Sequence, residues 1–210
     1  MCYMKYYRIE DNFDLENRWY LDAFTDGNGI ELDGREFTYG RSIDTGPPLK
    51  MGTWKDERII ETQPPLRLSL YRKRTGAPLD FTFTGENVPV VTSRVANILT
   101  THAKADIQRI PVHVEGQKES YEIINVTSLI DCIDTQRSEI RWFEKDNDIR
   151  PDLAGEPEWV RKLVIDPHRV GQHHMLRLKG WELPIIVSEP VKEMLENAKV
   201  SGIWFTKVSL

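Results

Sequence analysis

Val88-Pro89-Val90-Val91-Thr92-Ser93 and Leu183-Pro184-Ile185-Ile186-Val187-Ser188 are one pattern met twice, at a constant offset of 95 residues. Each is an apolar run ending in serine, the length of a buried strand and too short for a helix. Beyond the serine, Val95, Ile98, Leu99 and His102 stand at i, i+3, i+4 and i+7. Val191, Met194, Leu195 and Ala198 repeat that spacing at an offset of 96, Pro190 being the extra residue. Steps of three and four gather side chains on one helix face, so each run leads into an amphipathic helix. Ser93 and Ser188 are the expected N-caps, and Pro190 falls in a first turn, where its missing N–H has no intrahelical partner to lose. Ile107 to Val114 follows the first helix and Gly202 to Val208 the second, giving strand-helix-strand units over residues 88–114 and 183–208.

Between the units, Tyr121 to Val126 and Leu129 to Ile133 read as strands, with Arg141-Trp142-Phe143 and Lys162 to Ile165 as shorter ones. The expected fold is α+β, with a mixed sheet in the C-terminal two thirds. Upstream the signals change. Lys5 to Ile9 alternates weakly, Trp19-Tyr20-Leu21 is an aromatic patch, and Asp26-Gly27-Asn28-Gly29 and Leu32-Asp33-Gly34 are turn signals. From Arg41 to Pro65, Gly46-Pro47-Pro48, Gly52 and Pro64-Pro65 read as loop, and Arg72-Lys73-Arg74 as a solvated turn. Thr75-Gly76-Ala77-Pro78 is the expected boundary between a strand- and loop-rich region, 1–78, and an α+β domain, 79–210.

The 210 residues, 40% hydrophobic, suffice for a sizeable core. A net charge of -5 argues against a general nucleic-acid binder, which needs a basic face. Cys2 and Cys132 are the only cysteines, which fits a reducing, cytoplasmic setting, and Cys132 lies in an apolar run as a small hydrophobe. No stretch reaches the 18 or so uninterrupted apolar residues of a membrane-spanning helix.

Taken in order, Pro89-Val90-Val91-Thr92-Ser93-Arg94-Val95, Ile110-Pro111-Val112, Ile124-Asn125-Val126, Asp131-Cys132-Ile133-Asp134 with Ser138, and Leu176-Arg177-Leu178-Lys179-Gly180-Trp181 form a recognisable series. It closes on Val187-Ser188-Glu189 and Gly202-Ile203-Trp204-Phe205. The series resembles family eleven of the bacterial polymorphic-toxin immunity proteins, and Tyr6-Tyr7-Arg8-Ile9, Trp19-Tyr20-Leu21 and Phe37-Thr38-Tyr39-Gly40-Arg41 resemble its N-terminal part more loosely. The resemblance implies a non-catalytic protein, encoded beside a secreted toxin, that binds the toxin and protects the producing cell. It carries over no toxin identity and implies no cofactor. Pro89, Ser93, Pro184, Ser188, Gly202 and Phe205 are read as fold determinants and not as a binding site.

Charge supplies the candidate interface. Nine acidic residues against two basic ones lie between Glu10 and Glu36, interleaved with Phe13, Trp19, Tyr20 and Phe24. Carboxylates steer a basic partner and aromatics anchor it, so Asp14, Glu16, Trp19, Asp22 and Asp26 are candidate toxin-binding residues. Asp146, Asp148, Asp152, Glu156 and Trp159 form a second candidate stretch, stiffened by Pro151 and Pro157. These stretches make a basic, nuclease-like toxin the expected partner, met by a monomer or weak homodimer without nucleic acid or membrane.

The competing reading is a small metal-dependent hydrolase using Asp166, His168, His173 and His174. Adjacent histidines point to opposite sides of a strand, and no His-Glu-x-x-His helix accompanies them, so no metal site is expected. Asp146 to Pro157 begins like a calcium loop but has proline at its sixth and twelfth places. A secretion-apparatus adaptor is a third reading.

Overall fold

A computed structural model describes residues 4–26, 31–43, 50–53, 56–59, 68–144 and 154–210. Strands β1 (Tyr6–Asp11) and β2 (Tyr20–Thr25) come first, then a hairpin of β3 (Lys50–Thr53) and β4 (Asp56–Ile59), then β5 (Leu68–Arg74) and β6 (Phe81–Thr84). Next are β7 (Val88–Thr92), α1 (Ser93–Ala103), β8 (Ile107–Val114), β9 (Tyr121–Val126) and β10 (Leu129–Ile130). Strands β11 (Glu139–Trp142) and β12 (Pro157–Lys162) precede the single-turn α2 (Pro167–Val170). The chain closes with β13 (Met175–Leu178), β14 (Trp181–Ser188), α3 (Glu189–Asn197) and β15 (Ile203–Lys207).

Two sheets carry the fold, one ordered β2-β5-β8-β9-β7-β6 and the other β10-β13-β14-β1-β15. Each contains one parallel pair, β5 with β8 and β10 with β13, among antiparallel ones, so the fold is α+β with mixed sheets. The two strand-helix-strand runs sit in different sheets. In each, the flanking strands are separated by an antiparallel strand from elsewhere in the chain, β9 between β7 and β8, and β1 between β14 and β15.

The helix entries correspond bond for bond. Thr92 N–H reaches Asp80 O at 2.9 Å and Ser188 N–H reaches His174 O at 3.0 Å. One residue on, Ser93 N–H reaches Ser120 O and Glu189 N–H reaches Lys5 O, both at 2.9 Å. The caps differ. Thr92, not Ser93, caps α1, its side chain accepting from Val95 N–H at 3.4 Å. A cap needs extended backbone, which Thr92 has and Ser93, already helical, lacks. Ser188 holds the cap position of α3, but its hydroxyl is engaged elsewhere.

Strand alternation sends side chains into three buried clusters. Val88 and Val90 face one with Trp19, Phe24 and Phe37, while Val91 joins Val95, Leu99, Met175, Ile185, Val187, Val191 and Leu195 in a second. Ile186 turns the other way, to Tyr6, Cys132 and Leu176. The second cluster takes the apolar faces of both helices and both sheets. At about 1.5–3 kcal/mol per buried aliphatic side chain, this shared layer outweighs any single cap or surface ion pair.

Each unit also grips the opposite sheet just before its last strand. Asp106, ahead of β8, accepts from His174 and Met175 N–H at the start of β13. Ser201, ahead of β15, accepts from Phe81 N–H at the start of β6 and bonds Asp80. Gly202 makes this approach possible: its φ is +103°, and a Cβ there would lie 1.9 Å from Phe81 O.

Several local expectations change. Lys50 to Ile59 contains a hairpin where proline-rich loop was expected, because four-residue strands are too short to display a period. Arg72-Lys73-Arg74 ends β5 instead of forming a turn, with Arg74 over the Tyr20 ring. Leu129 to Ile133 yields only the two-residue β10, and Val164 and Ile165 make single bridges to Ser209 and Ile133. The first 78 residues supply β1 to the interior of one sheet and β2 and β5 to the other.

Candidate functional site

The acidic N-terminal stretch resolves into a surface loop anchored by a buried arginine. Arg18 is 4% exposed and pairs with Asp11 at 2.8 Å, while its Nη1 donates to Asn12 O at 2.8 Å. Burial pushes the Asp11 carboxyl up from the usual carboxylate range, against the pull of Arg18. Tyr20 and Phe13 lie against the guanidinium at 4.7 and 5.4 Å. Asn17 O accepts from Ala77 N–H at 2.7 Å, and a side chain at Gly76 would meet Arg18 carbonyl carbon at 2.3 Å, so glycine is required where these two backbones touch. The result is a clamped loop that presents Phe13, 65% exposed, followed by the exposed Asp14 and Glu16.

Asp14, Glu16 and Asp22 are exposed, as expected for an interface. Trp19 and Asp26 are not. Trp19 is fully buried against Tyr121, with ring centroids 5.5 Å apart, and Asp26 is 2% exposed, so neither reaches a partner without unpacking the core. Interleaved aromatics are equally the signature of a strand turning large side chains inward, and that cause wins here.

The second candidate stretch is split. Glu156 and Trp159 lie on the surface at β12, whereas Asp146, Asp148 and Asp152 fall outside the described residues. Among the described residues, strands β11 and β12 pair only with each other, at a register with Ile140 opposite Val160, Trp142 opposite Pro157 and Arg141 opposite Trp159. Trp142 and Trp159 are each 43% exposed, and two ion pairs lie within the ribbon: Arg141 pairs with Glu158 at 2.7 Å and Arg161 lies 3.8 Å from Glu139.

Between these patches runs β15. Asn12 N–H bonds Gly202 O at its start, and Ser209, beyond its end, bonds Leu163 and Ile165 in the segment leaving the ribbon. Trp204 is 47% exposed and stands opposite Glu10, which pairs with Arg8 and bonds Thr206. Lys192 of α3 lies over the Phe205 ring at 5.7 Å. Sequence reading missed Trp204, because Ile203-Trp204-Phe205 after a helix looks like an inward-facing strand.

The histidine cluster disperses. Asp166 caps α2 by accepting from His168 N–H at 2.9 Å. His173 Nδ1 turns instead to Asp106 Oδ1 at 2.6 Å, and His174 Nδ1 to Ser188 Oγ at 2.8 Å. Asp106 also accepts from Ser128 Oγ at 2.8 Å and from the His174 and Met175 N–H groups at 2.8 and 3.1 Å. Burial works to raise its pKa, but these donors, His173 foremost, hold it below the usual carboxylate range. Burial, helped by the neighbouring His102, lowers the His174 pKa. With Ser188 fully buried, this cluster joins the two units and offers no exposed nucleophile. Among the described residues no three His, Cys, Asp or Glu side chains are placed to hold a metal. Cys132 is buried, with its thiol pushed up to about 12 by burial first. No helix among the described residues is long and apolar enough to cross a membrane.

Residues 5–209 match an immunity protein family (Imm11). No curated protein matches the chain.

Proposed function

Because the chain belongs to the Imm11 immunity protein family, we propose that it binds a cognate secreted toxin and neutralises it by occlusion, without chemistry of its own. The match over residues 5–209 carries this reading. The exposed loop of Phe13, Asp14 and Glu16, with Asp22 and Glu156, supports a basic, nuclease-type toxin. Carboxylates at the rim would speed encounter and occupy the cations that hold phosphate. In this reading the toxin is encoded by a neighbouring gene, and the immunity protein acts in the cytoplasm as a monomer or weak homodimer, without nucleic acid or membrane.

The test is co-expression with the product of the adjacent gene, followed by size-exclusion chromatography and a survival assay. One complex, with killing only when this chain is absent, is the expected result. Absence of both would overturn the reading. For charge-led encounter, the Asp14→Lys/Glu16→Lys variant should associate about tenfold more slowly at low salt, with little change at high salt. An association rate indifferent to both would remove the basic toxin from the proposal and leave the immunity role standing.

A further inference from the structure

β15 ends its sheet, with β1 as its only strand neighbour among the described residues. Val208 N–H bonds Tyr6 O and Asn12 N–H bonds Gly202 O, which sets the alternation between them. With Glu10 opposite Trp204 and Arg8 opposite Thr206, the even-numbered residues turn their backbone groups to β1. Ile203, Phe205 and Lys207 therefore aim theirs outward, and no described backbone group meets them. A row of this kind is a template for another strand.

A groove of about 470 Å³ runs beside it, floored by Leu195, Val200, Ile203 and Phe205 and edged by Glu196 and Lys199. Side chains at alternate positions of an added strand would enter it. The window is closed at both ends. Phe81 bonds Ser201 on one side, and Val164 bridges Ser209 on the other.

Those closures choose the occupant. In a symmetric pair of β15 strands centred on Phe205, which would satisfy all the free groups, Ser201 of the second copy falls opposite Ser209, where Val164 already lies. A separate extended segment of five or so residues fits between the closures. The exposed Lys207 marks the end of the free row nearer Val164 with a positive charge.

We propose that the toxin docks by adding an extended segment to β15, pairing with Ile203, Phe205 and Lys207. The segment carries apolar side chains at alternate positions for the groove and an acidic residue at the Lys207 end. This proposal rests on the toxin-binding reading above.

Residue-resolved hydrogen exchange on the full chain, free and mixed with the co-purified toxin domain, is the test. In the free protein the amides of Ile203, Phe205 and Lys207 should exchange fast while those of Trp204 and Thr206 are already slow. Toxin should slow the three outward amides by at least about tenfold. Lys207→Pro removes one outward N–H and leaves the β1 ladder intact, so toxin affinity should fall by at least about tenfold with the fold retained. A complex that forms while these amides keep exchanging, or that Lys207→Pro leaves unchanged, overturns strand addition and spares the immunity reading. No complex with the wild-type chain overturns both. Protection that grows with protein concentration alone identifies a second copy as the occupant and also overturns the proposal.

Discussion

The unit of β7, α1 and β8 and the unit of β14, α3 and β15 share their helix entries but meet different neighbours. β8 is covered on its outer side by β5, whereas β15 is left at the edge of its sheet. One unit is thereby committed to the interior, and the other keeps a row of backbone groups that no described backbone group meets, beside an exposed tryptophan. The joints differ in kind as well. Asp106 crosses to the opposite sheet with a carboxylate, and Gly202 does so by having no side chain to obstruct Phe81. Near-equivalent connections thus serve packing in one place and leave an uncovered strand edge among the described residues in the other.

The contrast of joints is broken hardest at Gly202. Gly202→Ala places a Cβ within 1.9 Å of Phe81 O on a left-handed backbone, so it should lower stability by about 3 kcal/mol or more, read by chemical denaturation. Asp106→Asn comes next. It replaces a carboxylate that takes four donors and should cost about 2 kcal/mol.

Acid sharpens the same joint. The Asp106 pKa is lowered on folding, so its stabilisation is present above its unfolded value of 3.8 and is lost as pH falls through the folded one. His174 is lowered too, so its unfolded form takes up a proton more readily, and stability should begin to fall as pH drops through about 6.5. Denaturation midpoints from pH 8 to 3 should therefore decline less steeply in Asp106→Asn below about pH 4.

Smaller effects separate the two helix caps. Thr92→Ala should cost about 1 kcal/mol, the usual worth of a cap. Ser188→Ala removes no cap bond and should cost about half that. Its signature should be a changed NMR titration of His174, which loses its hydroxyl partner. Equal losses at both positions would mean that Ser188 caps α3 after all.

Much of this frame was legible beforehand. The paired apolar runs, the helix faces of Val95, Leu99, Val191 and Leu195, and the α+β class all follow from local periodicity. Interface residues were harder, since exposure depends on what packs against a side chain. Asp14 and Glu16 lie on the surface, yet Trp19 and Asp26 from the same stretch are buried. Asp106 carried only the weak signal of an aspartate between a helix and a strand. Three of its four partners lie 67 to 69 residues away and the fourth, Ser128, lies 22 away, beyond the reach of any spacing rule.

The sequence by itself determined the two apolar strand runs with the helices that follow them, and the α+β class, because hydrophobic period and turn chemistry act over a few residues. It also determined the family, through the order of its short motifs. Only the tertiary structure decided that β1 divides β14 from β15, that the histidines part company, and that β15 is left uncovered. Those outcomes depend on pairings between residues as distant as Tyr6 and Ser188, which are selected by the competition of whole surfaces for burial and hydrogen bonds.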